Sequence, residues 1–122
     1  MTDPTPAALL DAAAVRRLRE LDPRGESRLL ERVVAAFSSS LDRLIPDLER
    51  ARQNDTLDLT IVRHVSHTLK SSSASLGAMA LSARCAHIET MARDGLTEGL
   101  PEQLDAMLAD IQNVRAALAV LL

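Results

Sequence analysis

His64, His67 and Lys70 fall within one short stretch of a 122-residue chain, and Lys70 is its single lysine among 14 basic side chains. A neutral imidazole with a free ring lone pair is a nucleophile near neutral pH. An ammonium one helical turn away can attract and neutralise phosphoryl oxygens. That combination suits a histidine that accepts an anionic electrophile. Two other chemistries compete for the same residue types. A metal centre on His64 and His67 would need a further ligand from Cys85 or His87. Those two point about 200° apart on one helix and cannot both reach one ion. Cys85 shares the face of Ile88 and reads as core, and His87 reads as solvated. Asp42, Asp47 and Glu49 could be cast as an acid pair for hydrolysis, but on a polar helix face they read as solvated charges. The sequence has no Walker loop, Gly-rich phosphate loop or Ser–His–Asp order.

The elements that must position these residues are all helical. Hydrophobic residues make up 47% of the chain and charged residues 25%, a balance that supports one folded domain. One Phe and no Trp or Tyr leave no platform for stacking bases, and a net charge of −3 gives no basic field for a nucleic-acid backbone. No apolar run reaches membrane-spanning length, and the lone Cys85 fits a reducing, cytoplasmic setting. Residues 1–9 are expected to form a flexible tail, and residues 10–122 a bundle. Asp11 is the expected N-cap of a short first helix ending near Leu21, with Leu10 and Val15 as its staple. A second helix is expected from Gly25–Ser27 to about Arg52, kinked rather than stopped at Pro46. Asp58 should cap a third helix that runs to about Leu76, with Gly77 as its stop. A fourth should cover 78–93. A fifth should open at Pro101, with a stripe of Leu104, Met107, Leu108, Ile111, Val114, Leu118 and Leu121. The expected fold is all-α: an antiparallel four-helix bundle with a short additional N-terminal helix.

On a wheel of the third helix, Ile61, Val62, Val65, Leu69 and Leu76 form one stripe centred opposite His67. His67 should therefore be exposed at mid-helix. Within about 60° of it lie Thr60, Arg63, His64, Lys70, Ser71 and Ala74. That outer face carries cations and no acid of its own, which is unusual in a chain with 17 acids.

The run His67-Thr68-Leu69-Lys70-Ser71-Ser72-Ser73-Ala74-Ser75-Leu76-Gly77 resembles the signature of bacterial histidine-containing phosphotransfer (HPt) domains, approximately His-x-Leu-Lys-Gly-Ser-x-x-x-Leu-Gly. Downstream, Ile88-Glu89 is similar to the family's Leu/Ile-Glu pair on the next helix. Upstream, Leu10-Asp11 and Leu18-Arg19-Glu20-Leu21 are similar to its opening helix. The resemblance implies a helical bundle that relays a phosphoryl group between receiver domains, with no kinase or ATPase activity of its own. It implies His67 as the phosphorylated residue, Lys70 as its charge partner and Gly77 as the helix-ending glycine. Ser71 departs from the family's usual Gly, and its hydroxyl is expected to bond back to the carbonyl of His67.

The implied partners are response-regulator receiver domains and a hybrid sensor histidine kinase, with no nucleic acid or membrane. The chain is expected to act as a monomer. No cofactor of its own is expected, and Mg²⁺ is assigned to the receiver. Arg63, His64, Ser71 and Ala74 are the expected docking residues, and Leu69 and Gly77 the structural ones. Two alternatives remain at this level: an HPt-like regulator that binds without transfer, and a structural helical dimer. A histidine-kinase dimerisation domain fits less well, because Thr68 follows the His where that family places an acid.

Overall fold

A computed structural model describes residues 9–122. Its elements are α1 (Ala12–Glu20), α2 (Leu29–Gln53), α3 (Leu59–Ser75), α4 (Met79–Arg93) and α5 (Leu100–Leu121), with no strand among the described residues. The long helices follow one another through short connections, so sequence neighbours pack antiparallel. Most of the tail expected over 1–9 lies outside the described residues; Leu9 packs half-buried against the core.

The core is aliphatic. Leu41, Leu48, Leu69, Leu81, Ile88, Leu104, Met107, Ile111 and Leu118 are all fully enclosed. Burying each contributes roughly 1.5–3 kcal/mol relative to leaving it in water. The α5 stripe holds, except that Leu108 and Leu121 are only partly buried while Ala117 is enclosed. The stripe repeats every seven residues and so drifts about 20° per heptad around a helix of 3.6 residues per turn, which carries its flank residues to the rim.

Local chemistry sets the helix ends. The Asp11 carboxylate accepts from the Ala13 N–H, and that of Asp58 from the N–H groups of Thr60 and Ile61. The start of α2 differs from the expectation of Gly25–Ser27. Asp22 reaches forward, and its carboxylate accepts from the N–H groups of Ser27 and Leu29. Those bonds, the one from Leu29 first, hold the Asp22 carboxyl below its usual pKa. Arg28 precedes the helix with φ at 51°. The helix thus begins where a remote acid satisfies its free donors. Pro46 lies inside α2, which continues to Gln53.

The corner between α3 and α4 matters most for the site. Gly77 adopts φ 81°, its N–H donates to the Ala74 carbonyl, and the Ala78 N–H donates to that of Ser73. This pair of bonds is a Schellman motif, in which glycine avoids the cost of a left-handed backbone. The same glycine receives α1. The Asp11 N–H donates to the Gly77 carbonyl at 2.7 Å, and a Cβ on residue 77 would lie 2.8 Å from that of Ala14. The short first helix therefore sits over the end of the bundle where α3 turns into α4.

Candidate functional site

α3 and α4 form the most extensive helix pair among the described residues. Small residues permit their approach: Ser66 and Ser73 on α3 and Ser82 on α4 are buried. The Ser82 hydroxyl donates to the backbone carbonyl of Lys70 at 2.8 Å, tying the two helices together beside the site. The buried face of α3 is thus wider than the aliphatic stripe, because Ser66 and Ser73 join Val62, Val65 and Leu69 within it.

His67 projects away from this face, with 67% of its side chain exposed. Arg63, His64 and Ser71 are exposed around it, and Ala74 is half-buried. Ser71 does not make the expected bond to the carbonyl of His67. The hydroxyls that bond back along α3 are those of Ser72, to Thr68, and Ser75, to Ser71. Leu69 is fully buried and Gly77 forms the corner, as expected for the two structural positions.

The outer face of α3 lacks an acid of its own, but one arrives from α4. Nδ1–H of His67 donates to Glu89 Oε2 at 2.6 Å, and Nζ of Lys70 donates to Glu89 Oε1 at 2.8 Å. One carboxylate thus bridges imidazole and ammonium. The hydrogen bond from Lys70, and then that from His67, holds the Glu89 carboxyl below its usual pKa. An ionised carboxylate only accepts, so the proton it meets must reside on Nδ1. The neutral ring then carries its lone pair on Nε2. Lys70 is engaged by Glu89 and half-buried rather than free over the face. Glu89 stands in the sequence as half of the family pair, and its reach to His67 comes from the pairing of α3 with α4. The signal was in the spacing. Gly77 turns an antiparallel hairpin, with His67 ten residues before it and Glu89 twelve after, so the two lie at nearly the same height.

The other reactive candidates lie elsewhere. Cys85 is buried beside Met107, and burial, reinforced by the charge of Asp110, pushes its thiol up to about 12. It therefore does not reach the face of His64 and His67, while His87 is exposed. Asp42 pairs with Arg115 across to α5, and Asp47 pairs with Arg50 one turn on. No helix among the described residues is long and apolar enough to cross a membrane.

A family model described as the Hpt domain matches residues 32–117, more than half of the chain and the whole of this site. The chain belongs to the Hpt domain family. Its role is accordingly phosphotransfer. Solved structures of histidine-containing phosphotransfer proteins share this fold. Histidine-containing phosphotransfer protein B (HptB) from Pseudomonas aeruginosa is 26% identical, with a TM-score of 0.71 over 93% of each chain. The histidine-containing phosphotransfer protein ZmHP2 from maize is 24% identical, with a TM-score of 0.81 over 93% of this chain and 83% of its own. No curated protein matches in sequence.

Proposed function

We propose that His67 is the phosphoaccepting residue of a phosphorelay intermediate, loaded from the phosphorylated aspartate of one receiver domain and discharged to another. The observation that carries this reading is the bond from Nδ1–H to Glu89, which leaves the Nε2 lone pair free on an exposed ring. Nε2 attacks the phosphorus of the aspartyl phosphate in line. The N–P bond forms as the P–O bond to aspartate breaks, and that electron pair leaves with the aspartate carboxylate. The proton stays on Nδ1, so the ring gains positive charge, which the Glu89 carboxylate stabilises. Reversing the step passes the group onward.

Lys70 acts mainly by holding Glu89 in place, which refines the role of direct charge partner. The Mg²⁺ and the acidic pocket of the reaction belong to the receiver. A receiver, or the receiver part of a hybrid sensor kinase, docks over Arg63, His64, Ser71 and Ala74. Beside them, between α2 and α3, lies a groove of about 260 Å³ lined by Val33, Ala36, Phe37, Ser40, Ser72, Ser75 and Leu76. Such a mixed polar and apolar surface suits a transient interface. We assign the protein to the cytoplasm as a monomer.

The test is transfer from a panel of phosphorylated receivers to wild type and His67→Gln. Labelling should vanish in the variant while the melting temperature stays nearly unchanged, because exposed substitutions move stability by about half a kcal/mol. Undiminished labelling of His67→Gln overturns the assignment, and wild type that binds receivers without becoming labelled supports the regulatory alternative.

A further inference from the structure

Phosphorylating His67 would place a dianionic group a few ångströms from the ionised Glu89, so cations must offset it. Lys70 is the obvious candidate, but its ammonium already serves Glu89. Releasing it would leave that carboxylate with His67 alone. On the other side of His67 lies an open cleft of about 500 Å³, lined by Thr60, Arg63, His64, His67, Glu89 and Arg93. Arg63 stands one turn before His67 on α3, and Arg93 one turn after Glu89 on α4. Arg63 is exposed and makes no ion pair among the described residues. Arg93 pairs only with its neighbour Asp94, and both are about half exposed, so that contact exchanges readily with solvent. A guanidinium presents a planar fork of donors that matches phosphoryl oxygens, and it stays charged at any working pH.

We propose that Arg63 and Arg93 form an oxyanion site that holds the phosphoryl group on His67, while Lys70 fixes the Glu89 carboxylate. The inference rests on the reading of His67 Nε2 as the acceptor. It assigns Arg93 a role in the reaction and moves Arg63 from docking to binding the transferred group. In the unphosphorylated protein the same cleft should take inorganic phosphate weakly.

The experiment has two readouts. The first is the equilibrium between phospho-His67 and one phosphorylated receiver, in wild type, Arg63→Gln, Arg93→Gln, the double variant and Lys70→Gln. The second is the ³¹P NMR titration of the isolated phosphoprotein, which reports the second ionisation of the phosphoryl group. The double variant should shift the equilibrium about three- to tenfold toward the receiver, and Lys70→Gln less. The ³¹P titration should move to higher pH in the double variant, because two cations that favour the dianion are gone. Arg63→Lys with Arg93→Lys should recover part of both effects. If the equilibrium and titration are unchanged and only the transfer rate falls, the arginines are docking contacts and the proposal is wrong. A larger shift in Lys70→Gln than in the double variant likewise overturns it. Wild type that takes no phosphoryl on His67 defeats the underlying reading instead, and is scored separately by mapping the label before the variants are compared.

Discussion

At the residue scale, the site is one carboxylate shared by two donors. Glu89 orients the ring of His67 and immobilises Lys70, so its loss should act on both. In Glu89→Gln the amide still occupies the space but no longer dictates the tautomer, because it offers a donor as well as an acceptor. ¹⁵N NMR should show the wild-type ring mainly as the Nδ1–H tautomer when neutral and a mixture in the variant, with transfer slowed by about tenfold. The same pair predicts a pH dependence. The folded-state pKa of Glu89 is held low by Lys70 and His67. A carboxyl depressed on folding adds stability above its unfolded pKa and loses it as pH falls through the folded value. The melting-temperature difference between wild type and Glu89→Gln should therefore be open at neutral pH, begin to narrow near the ordinary Glu pKa of about 4.3, and close only as the pH falls through the lower folded value. A difference that persists in strong acid would show that ionisation is not its source.

At the element scale, Gly77 has three tasks that no other residue can combine. It ends α3 in the left-handed region, starts the hairpin that brings Glu89 to His67, and leaves room for α1. A Cβ there would be strained by φ 81° and would collide with Ala14 at 2.8 Å. Gly77→Ala should cost about 1–3 kcal/mol from backbone strain alone. It should also undock α1, read as loss of hydrogen-exchange protection over residues 12–20. Protection that survives unchanged in α1 would mean that the helix is held by its apolar contacts rather than by the corner. Asp22 shows the same economy on a smaller scale, since one acid in the connection sets where α2 begins.

At the scale of the whole molecule, the bundle is a packed mount for an exposed histidine. One aliphatic core joins α2, α3, α4 and α5. Further ties cross between helices: Arg84 to Asp110 and Gln103 joins α4 to α5, and Arg115 to Asp42 joins α5 to α2. Leu69 is fully enclosed beneath the site. Leu69→Ala should cost about 2–5 kcal/mol, with circular dichroism and receiver-dependent labelling lost in a single transition. Labelling lost well before the helices melt would instead indicate that α3 frays on its own. The cost of His67→Gln, by contrast, should be small. The proposed acceptor and the core thus occupy opposite faces of one helix.

Much of this arrangement could be read along the chain. The period of the apolar residues placed Val62, Val65 and Leu69 inside and His67 outside. Asp11, Asp58 and Gly77 marked helix ends through chemistry that acts over a few residues. These features are local, since a helix repeats every 3.6 residues whatever surrounds it. The motif from His67 to Gly77 carried the family for the same reason: its residues follow one another on one turn after another. The partner of His67 was different. A wheel gives the angle of a side chain, not its neighbour, so the outer face of α3 looked free of acids until α4 folded back against it. Lys70, expected as the charge partner of His67, met its own carboxylate in the same step. The burial of Ser66 and Ser73, the forward reach of Asp22 and the seat of α1 on Gly77 also come from packing between segments distant in sequence. They depend on how closely two backbones approach, a quantity set by all the side chains at the crossing together.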